Sequence, residues 1–329
     1  MKLLITGGAG YVGSVLTNTA LKNDFEVRVV DSLYFDNKVP LIHLGNPYYE
    51  FIRLDITEAG KIKPYLKDID FVIHAAAIVG EPASNKFPDL TEKTNFGATK
   101  ELIRLAAEEG VKGFIFLSTC SNYGVVDGMA NENTDLKPLS LYADTKVRVE
   151  NLLMDGSNDI DWVICRMSTI YGASPRMRFD LTVNDFALNA FMKKYLDVFL
   201  PYTYRPYIHV YDASRVIISM ISQFDKVHKN VFNVGFNSEN YQKIKIAETV
   251  KKFVPDLKID VVDKGADLRD YQVDFSKLKD YLNLTNVFTV EDGVREVVEM
   301  LYSGIIENPY EKIYYNTEPK LRGGGEDRA

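Results

Sequence analysis

The strongest constraint on this chain lies in its first turn. A short apolar run, Lys2–Thr6, passes directly into TGGAGYVGS, and a stripe of apolar residues at helical spacing then runs to Lys22. That pattern reads as buried strand, tight turn and helix. Gly7, Gly10 and Gly13 sit in the turn at GxxGxxG spacing, with Tyr11 and Val12 between them. Glycine is needed there because the turn is tight, the backbone must approach a diphosphate closely, and the helix must pack against the strand. The helix N-terminus then offers amide donors and a favourable dipole to the phosphates. Asp31, followed by Ser32, comes 18 residues after Gly13, at the end of the next strand. An acid in that place accepts hydrogen bonds from an adenosine ribose and repels a 2′-phosphate, so the expected cofactor is NAD rather than NADP.

The rest of the first half repeats this rhythm. Strands are expected at 26–30, 49–54, 71–74, 113–117 and 162–166, and helices at 61–66, 90–109 and 140–154. Such alternation implies an α/β fold with a doubly wound parallel sheet, whose ligands lie beyond the carboxyl ends of the strands. After residue 170 the rhythm breaks. A loop at 172–178 precedes helices at 181–194, 244–254 and 290–302 and strands at 231–234 and 258–262. The 329 residues suggest two domains. The expected division is a Rossmann-type domain of 1–170 plus about 206–238, a smaller α/β substrate-binding domain of about 171–205 plus 239–315, and a flexible tail at 316–329.

Charge and composition exclude several functions. With 39 basic and 46 acidic residues the net charge is −7, which argues against a nucleic-acid partner. The stretch 166–215 is an exception, carrying seven basic residues against four acidic ones. No apolar run approaches the ~18 residues of a membrane span, and the apolar start is too short for a signal peptide. Two cysteines, Cys120 and Cys165, form no disulfide framework and suit a reduced, cytoplasmic protein. The four histidines are scattered without HxH or HxxxH spacing, so no metal site is expected.

The second chemical signal is YxxxK. Tyr142 and Lys146 are four residues apart near a helix start and so share one face. A tyrosine is a poor base at neutral pH, because its reference pKa is about 10. A neighbouring lysine cation would favour the phenolate. Thr119 and Ser121, in STCSNYG just past the 113–117 strand, are hydroxyls within reach of a strand-end ligand, though both also suit loop capping. Cys120 between them lacks an identifiable base and reads as a packed side chain.

Together, TGGAGYVGS, Asp31 and YADTK resemble the extended short-chain dehydrogenase/reductase family, over about residues 1–315. Within it they resemble the nucleotide-sugar epimerase/dehydratase group that includes UDP-glucose 4-epimerase. The resemblance implies that Asp55 and Ile56 meet the adenine, although Asp55 also suits a helix cap. It implies that Ala75, Ala76 and Ala77, in HAAA, lie against the cofactor and that Asn95, in TNFGAT, steadies the central helix and strand. It makes Tyr142 the acid/base, Thr119 its hydrogen-bonding partner, and Lys146 a ligand of the nicotinamide ribose. Arg205, in RPYIHVYD, would bind the diphosphate of a nucleotide sugar, with Arg176, Arg178, Asn184 and Arg269 as further substrate contacts. Surface ion pairs are the competing assignment for the arginines. Family dehydratases carry an Asp-Glu pair where this chain has Cys120 and Ser121, and family 3,5-epimerases place a cysteine where it has Ser121. The expectation is therefore an NAD-dependent nucleotide-sugar epimerase working through C4 oxidation. A 4,6-dehydratase, a 4-ketoreductase and a catalytically silent NAD-binding protein remain as alternatives. Relatives pair through helices corresponding to about 90–109 and 140–154, which implies a homodimer.

Overall fold

The computed structural model describes residues 1–265 and 269–317. Seven strands, Lys2–Thr6 (β1), Glu26–Asp31 (β2), Tyr49–Arg53 (β3), Phe71–His74 (β4), Gly113–Thr119 (β5), Asp161–Met167 (β6) and Asn230–Val234 (β7), form one parallel sheet. Their order is β7-β6-β5-β4-β1-β2-β3. Strand order reverses between β1 and β4, so a crevice opens there at the carboxyl ends. The central strands are continuous apolar runs because both faces are covered: every residue of β4 and β5 is buried. On one face, Leu16 and Ala20 of the helix Tyr11–Lys22 join Ile217 and Ile221 of Val210–Ser222 against Leu3, Ile5 and Val163. On the other, Leu102, Ile103, Val149 and Leu153 pack on Leu4, Val72, Phe114 and Ile164.

A second core gathers the helices Thr182–Lys193, Lys243–Phe253 and Val290–Tyr302 around Phe179, Val183, Val250, Val294 and Val297. One sheet of three short strands and two of two complete the fold among the described residues. Tyr204–His209 runs beside Thr169–Tyr171 and Asn240–Gln242, Tyr195–Phe199 beside Lys258–Val262, and Val125–Ala130 beside Asp270–Val273. The last pair brings residues 269–273 to the end of β5, more than 140 positions away in sequence.

Three sequence expectations need correction. The span 90–109 is not one α-helix: Pro88–Thr91 leads into a π-helical stretch, Glu92–Ala98, before Thr99–Glu108. Residues 61–66 are the end of an α-turn, Ala59–Ile62, and a tighter 3-10 turn, Lys63–Leu66, which Pro64 opens. The expected tail starts too early. The Asn316 N–H donates to Asp180 Oδ2 at 2.9 Å and the Thr317 carbonyl accepts from Lys86 Nζ at 2.9 Å, which anchors both. The remainder, 318–329, lies outside the described residues.

Candidate active site

A cavity of about 480 Å³ opens along the crevice, and nearly every residue singled out in the sequence lies on its wall. Gly7 takes a positive φ of 72°, and a Cβ there would come within 2.7 Å of the Ala76 backbone nitrogen. A Cβ at Gly13 would stand 2.1 Å from the Gly7 carbonyl oxygen. A side chain at Gly7 would push the turn off the backbone after β4, and one at Gly13 would push the helix off the turn, so both places depend on glycine. Gly10, Tyr11 and Val12 complete this wall. Asp31 accepts the Ala9 N–H at 3.0 Å and the Leu33 N–H at 2.8 Å. Its burial still pushes the carboxyl above the usual range. Ser32, Asp55, Ile56 and Ala75 to Ala77 continue the surface. Asp55 also caps the following turn, accepting the Thr57 N–H at 2.9 Å, as the competing reading of that residue expected.

Behind the alanines, His74 bridges Thr6 Oγ1 at 2.7 Å and Thr99 Oγ1 at 2.8 Å. Burial drives its pKa down to about 3, so it is a neutral tie between β1, β4 and the helix. Asn95 does not line this cavity. Its Oδ1 accepts the Ile78 N–H at 2.8 Å and its Nδ2 donates to the Ile78 carbonyl at 2.9 Å. The π stretch sets Asn95 facing the loop after β4.

Thr119 ends β5 and hydrogen-bonds to Tyr142 from the helix Leu141–Met154, whose N-cap Ser140 accepts the Ala143 N–H at 3.2 Å. Burial raises the phenol to about 12, opposed by the Arg178 charge, the Thr119 hydrogen bond and the Arg269 charge. Lys146 Nζ lies 5.9 Å from the centre of the Tyr142 ring, on the helix face that the four-residue spacing implied. Lys146 Nζ donates to the Leu117 carbonyl at 2.7 Å and lies 4.6 Å above the Phe116 ring. Burial lowers its own pKa to about 7, against the nearby Glu150 charge. Arg178 and Arg269, from the second half, add positive charge near the phenol. Cys120 faces away, donating to the Arg166 carbonyl at 3.1 Å, and burial pushes its thiol far up. Beneath the loop, Glu150 is fully buried, paired with Arg166 at 2.7 Å and bonded by Ser118 and Asn122. Sequence reasoning missed this clamp, although a charged pair in two apolar elements was a visible signal.

At the other end, Arg269 Nη1 donates to Ser121 Oγ at 3.1 Å, Tyr271 Oη lies 3.5 Å from the same oxygen, and Arg205 stands 5.2 Å above the Tyr271 ring. Arg178 is bidentate to Asp180 at 2.8 and 3.1 Å. Tyr271, Glu81 and Lys243 also line this end and were not foreseen. Tyr271 had a signal, two places after Arg269 in a short alternating run. Asn184 is not on the wall. Its Oδ1 accepts the Gly172 N–H at 3.1 Å, and its Nδ2 donates to Tyr11 Oη at 3.1 Å and the Arg178 carbonyl at 2.9 Å, which saturates it. Arg176 lies at the opposite end from Arg205, 3.9 Å above the Phe35 ring.

Among the described residues no helix is long and apolar enough to cross a membrane. A UDP-glucuronic acid decarboxylase of Arabidopsis thaliana is 30% identical over 315 residues, covering 89% of this chain and 87% of its own. An uncharacterized UDP-glucose epimerase of Bacillus subtilis is 28% identical over 92% of this chain and 98% of its own. A solved structure of UDP-glucuronic acid 4-epimerase from Bacillus cereus, in complex with UDP-glucuronic acid and NAD, superposes with a TM-score of 0.85 at 26% identity. It covers 92% of this chain and 99% of that one. The profile of the NAD dependent epimerase/dehydratase family matches residues 3–235, and with the crevice, glycine turn and YxxxK pair in place, the chain belongs to that family.

Proposed function

We propose that the chain is an NAD-dependent nucleotide-sugar epimerase that inverts its sugar through transient oxidation at C4. The observation that carries this reading is that these groups share one cavity in the order of the sheet. The glycine turn and Asp31 follow β1 and β2, Thr119 with Tyr142 and Lys146 lies at the end of β5 beyond β4, and Arg269 bonds Ser121 there with Arg205 over Tyr271. The residues fit a dinucleotide: the cradle at Gly7 and Gly13 leaves no room for a Cβ, and Asp31 turns a buried carboxylate to the cavity. Gly7, Gly10, Tyr11, Val12 and Gly13 would hold the diphosphate, Asp31 and Ser32 the adenosine ribose, and Asp55 and Ile56 the adenine. Ala75, Ala76 and Ala77 would flank its middle, and Lys146 its nicotinamide ribose. NAD, when bound, supplies a reversible hydride acceptor for the sugar carbon.

The chain's own part is proton transfer and orientation. Tyr142 takes and returns the proton of the C4 hydroxyl, and Thr119 shares the hydrogen bond. The Arg178 and Arg269 charges oppose the burial that keeps the phenol protonated. Arg205 and Arg269 bind the substrate diphosphate through their planar forks, and Ser121 meets the sugar. Cys120 and Ser121, in place of two carboxylates, leave no acid–base pair for dehydration there. We also assign the two cores to a cofactor-binding unit, 1–170 plus about 206–238, and a substrate-binding unit, about 171–205 plus 239–315. A cytoplasmic homodimer, paired through the faces of 90–109 and 140–154, completes the proposal, and light scattering tests its mass.

The deciding experiment incubates the protein with UDP-, GDP-, CDP- and dTDP-sugars, UDP-glucose and UDP-glucuronic acid included, and reads products by mass and NMR. Unchanged mass with inverted C4 supports epimerisation. Loss of water indicates a dehydratase, loss of carbon dioxide a decarboxylase, and gain of two hydrogens with NADH consumed a reductase. Bound NAD without turnover of any sugar would leave a silent protein.

A further inference from the structure

Arg176 belongs by sequence with the substrate arginines, but its surroundings are those of the cofactor. The side chain is 3% exposed, and its Nε and Nη2 have no hydrogen-bond partner among the described residues. Buried charged donors without an acceptor are costly, and each such group calls for a partner. Burial first, and the Arg178 charge second, hold its pKa down to about 9. The guanidinium carbon lies 3.9 Å from the centre of the Phe35 ring, in the loop that follows Asp31, and within electrostatic reach of Asp180 and Asp31. A contact of this kind leaves the N–H edge free to bind.

The loop carrying Arg176 is fastened to the phosphate cradle. Ser174 Oγ donates to the Tyr11 carbonyl at 2.7 Å and meets Ser14 Oγ at 3.0 Å. Tyr11 Oη donates to the Gly172 carbonyl at 2.6 Å. Both Tyr11 and Ser14 lie in the first turn of the helix whose N-terminus faces the glycine turn. Arg176 thus stands between Asp31 and that N-terminus, on the same cavity wall.

We infer that Arg176 binds the diphosphate of the dinucleotide, not that of the nucleotide sugar. The inference rests on the assignment of NAD to this cavity. Going from Asp31, which takes the adenosine ribose, toward the glycine turn, the next group of a dinucleotide is its diphosphate, and its oxygens would accept from the two N–H groups of Arg176 that Asp31 and Asp180 reach only through space. A 2′-phosphate would also be an anion near Asp31, but the carboxylate repels it. The consequence is that a loop outside the nucleotide-binding half closes over the cofactor, and the same loop leads straight to Arg178. Cofactor retention and substrate binding then share one segment.

The test measures binding by calorimetry with adenosine, ADP, NAD, NADP and UDP, on wild type, Arg176→Ala, Arg176→Gln and Arg176→Lys, each checked by thermal melting. In Arg176→Ala and Arg176→Gln, affinity for ADP and NAD should fall tenfold or more, while adenosine and UDP stay within twofold. Arg176→Lys should fall in between. Loss of UDP affinity with NAD unchanged would return Arg176 to the substrate and overturn the inference. Equal losses for adenosine and ADP would overturn it too, by showing that only the Phe35 contact matters. Tighter binding of NADP than NAD, abolished in Arg176→Ala, would assign the charge to a 2′-phosphate instead. A wild type that binds neither ADP nor NAD would remove the cofactor reading itself. NAD binding without sugar turnover would leave the inference intact and remove only the epimerase.

Discussion

The two ends of the cavity are built by different means. At the end lined by Gly7 and Asp31 the surface comes mainly from a glycine turn, strand ends and a run of alanines within the first 80 residues, with Arg176 as the exception. At the substrate end it is made of long side chains, Arg178, Arg205, Arg269 and Tyr271, from segments some 90 residues apart that only tertiary packing brings together. Backbone surfaces are rigid and tolerate little change; side-chain surfaces can be altered without disturbing the fold. One end is therefore suited to a constant ligand and the other to a ligand that differs among relatives. The relatives fit this contrast: they share an NAD-dependent family yet carry names as different as decarboxylase and epimerase.

Tyr142 sits between the two ends, and removing its hydroxyl gives the largest expected effect. Tyr142→Phe should cut turnover by about 10³-fold, the scale of a lost general acid–base group, with NAD and UDP affinities unchanged. Turnover within tenfold of wild type would show that the proton moves elsewhere. Next is the backbone end. Gly13→Ala forces a Cβ against the Gly7 carbonyl. Overpacking of this kind costs about 1–3 kcal/mol, and the cradle widens with it. Both thermal stability and NAD affinity should drop while UDP affinity holds; a protein that keeps normal NAD binding would refute the rigid-backbone account.

This contrast also explains what was legible in the sequence. Gly7, Gly13, Asp31 and the Tyr142–Lys146 pair were readable because each works at a fixed spacing within one turn or helix. The parallel sheet was readable because its strands are unbroken apolar runs. The edge strands Val125–Ala130, Tyr204–His209 and Asp270–Val273 were not, being four to six residues long and fixed by partners distant in sequence. The helix Val210–Ser222 was overlooked although Val210, Ala213, Ile217 and Ile221 mark its buried stripe, because RPYIHVYD drew attention as a ligand segment. The positions of Asn184, off the wall, and of Arg176, beside Phe35, were not legible for one reason: a loop's destination depends on what it packs on, here the first turn of the helix Tyr11–Lys22.

The side-chain end should respond more gently. Arg269→Ala removes a cation that bonds Ser121 and faces the phenol. A charge-assisted contact is worth about 1.5–3 kcal/mol, so UDP-sugar affinity should weaken about 10- to 100-fold with NAD binding and melting temperature nearly unchanged. An equal loss of NAD affinity would mean that the two ends are not separable. The Tyr142 phenol, losing an opposing charge, should also rise, moving the ascending limb of the rate profile, where the base loses its proton, to higher pH.

The smallest effect concerns stability, and here the two cores should respond to pH with opposite sign. In the second core Glu239 is 2% exposed, accepts the Val290 N–H at 3.0 Å and faces the Asp212 charge, and burial raises it to about 7. An unfolded glutamate titrates near 4.3, so between about 4.3 and 7 the native chain holds a proton that the unfolded chain has lost. That contribution is full at the acidic side and is lost as pH rises through 7. Lys146, beside the sheet, is lowered to about 7 against an unfolded value of about 10.4. Between those values the native chain holds fewer protons, so its contribution grows as pH rises. Urea unfolding from pH 5 to 9 should separate them: Glu239→Gln should flatten the decline below pH 7 by about 1–2 kcal/mol, and Lys146→Met should flatten the rise above it. If Glu239→Gln leaves the acidic slope unchanged, its carboxyl is not the proton-holding group of the second core. Asp185, raised by burial to about 6 in the same region, is then the next group to test.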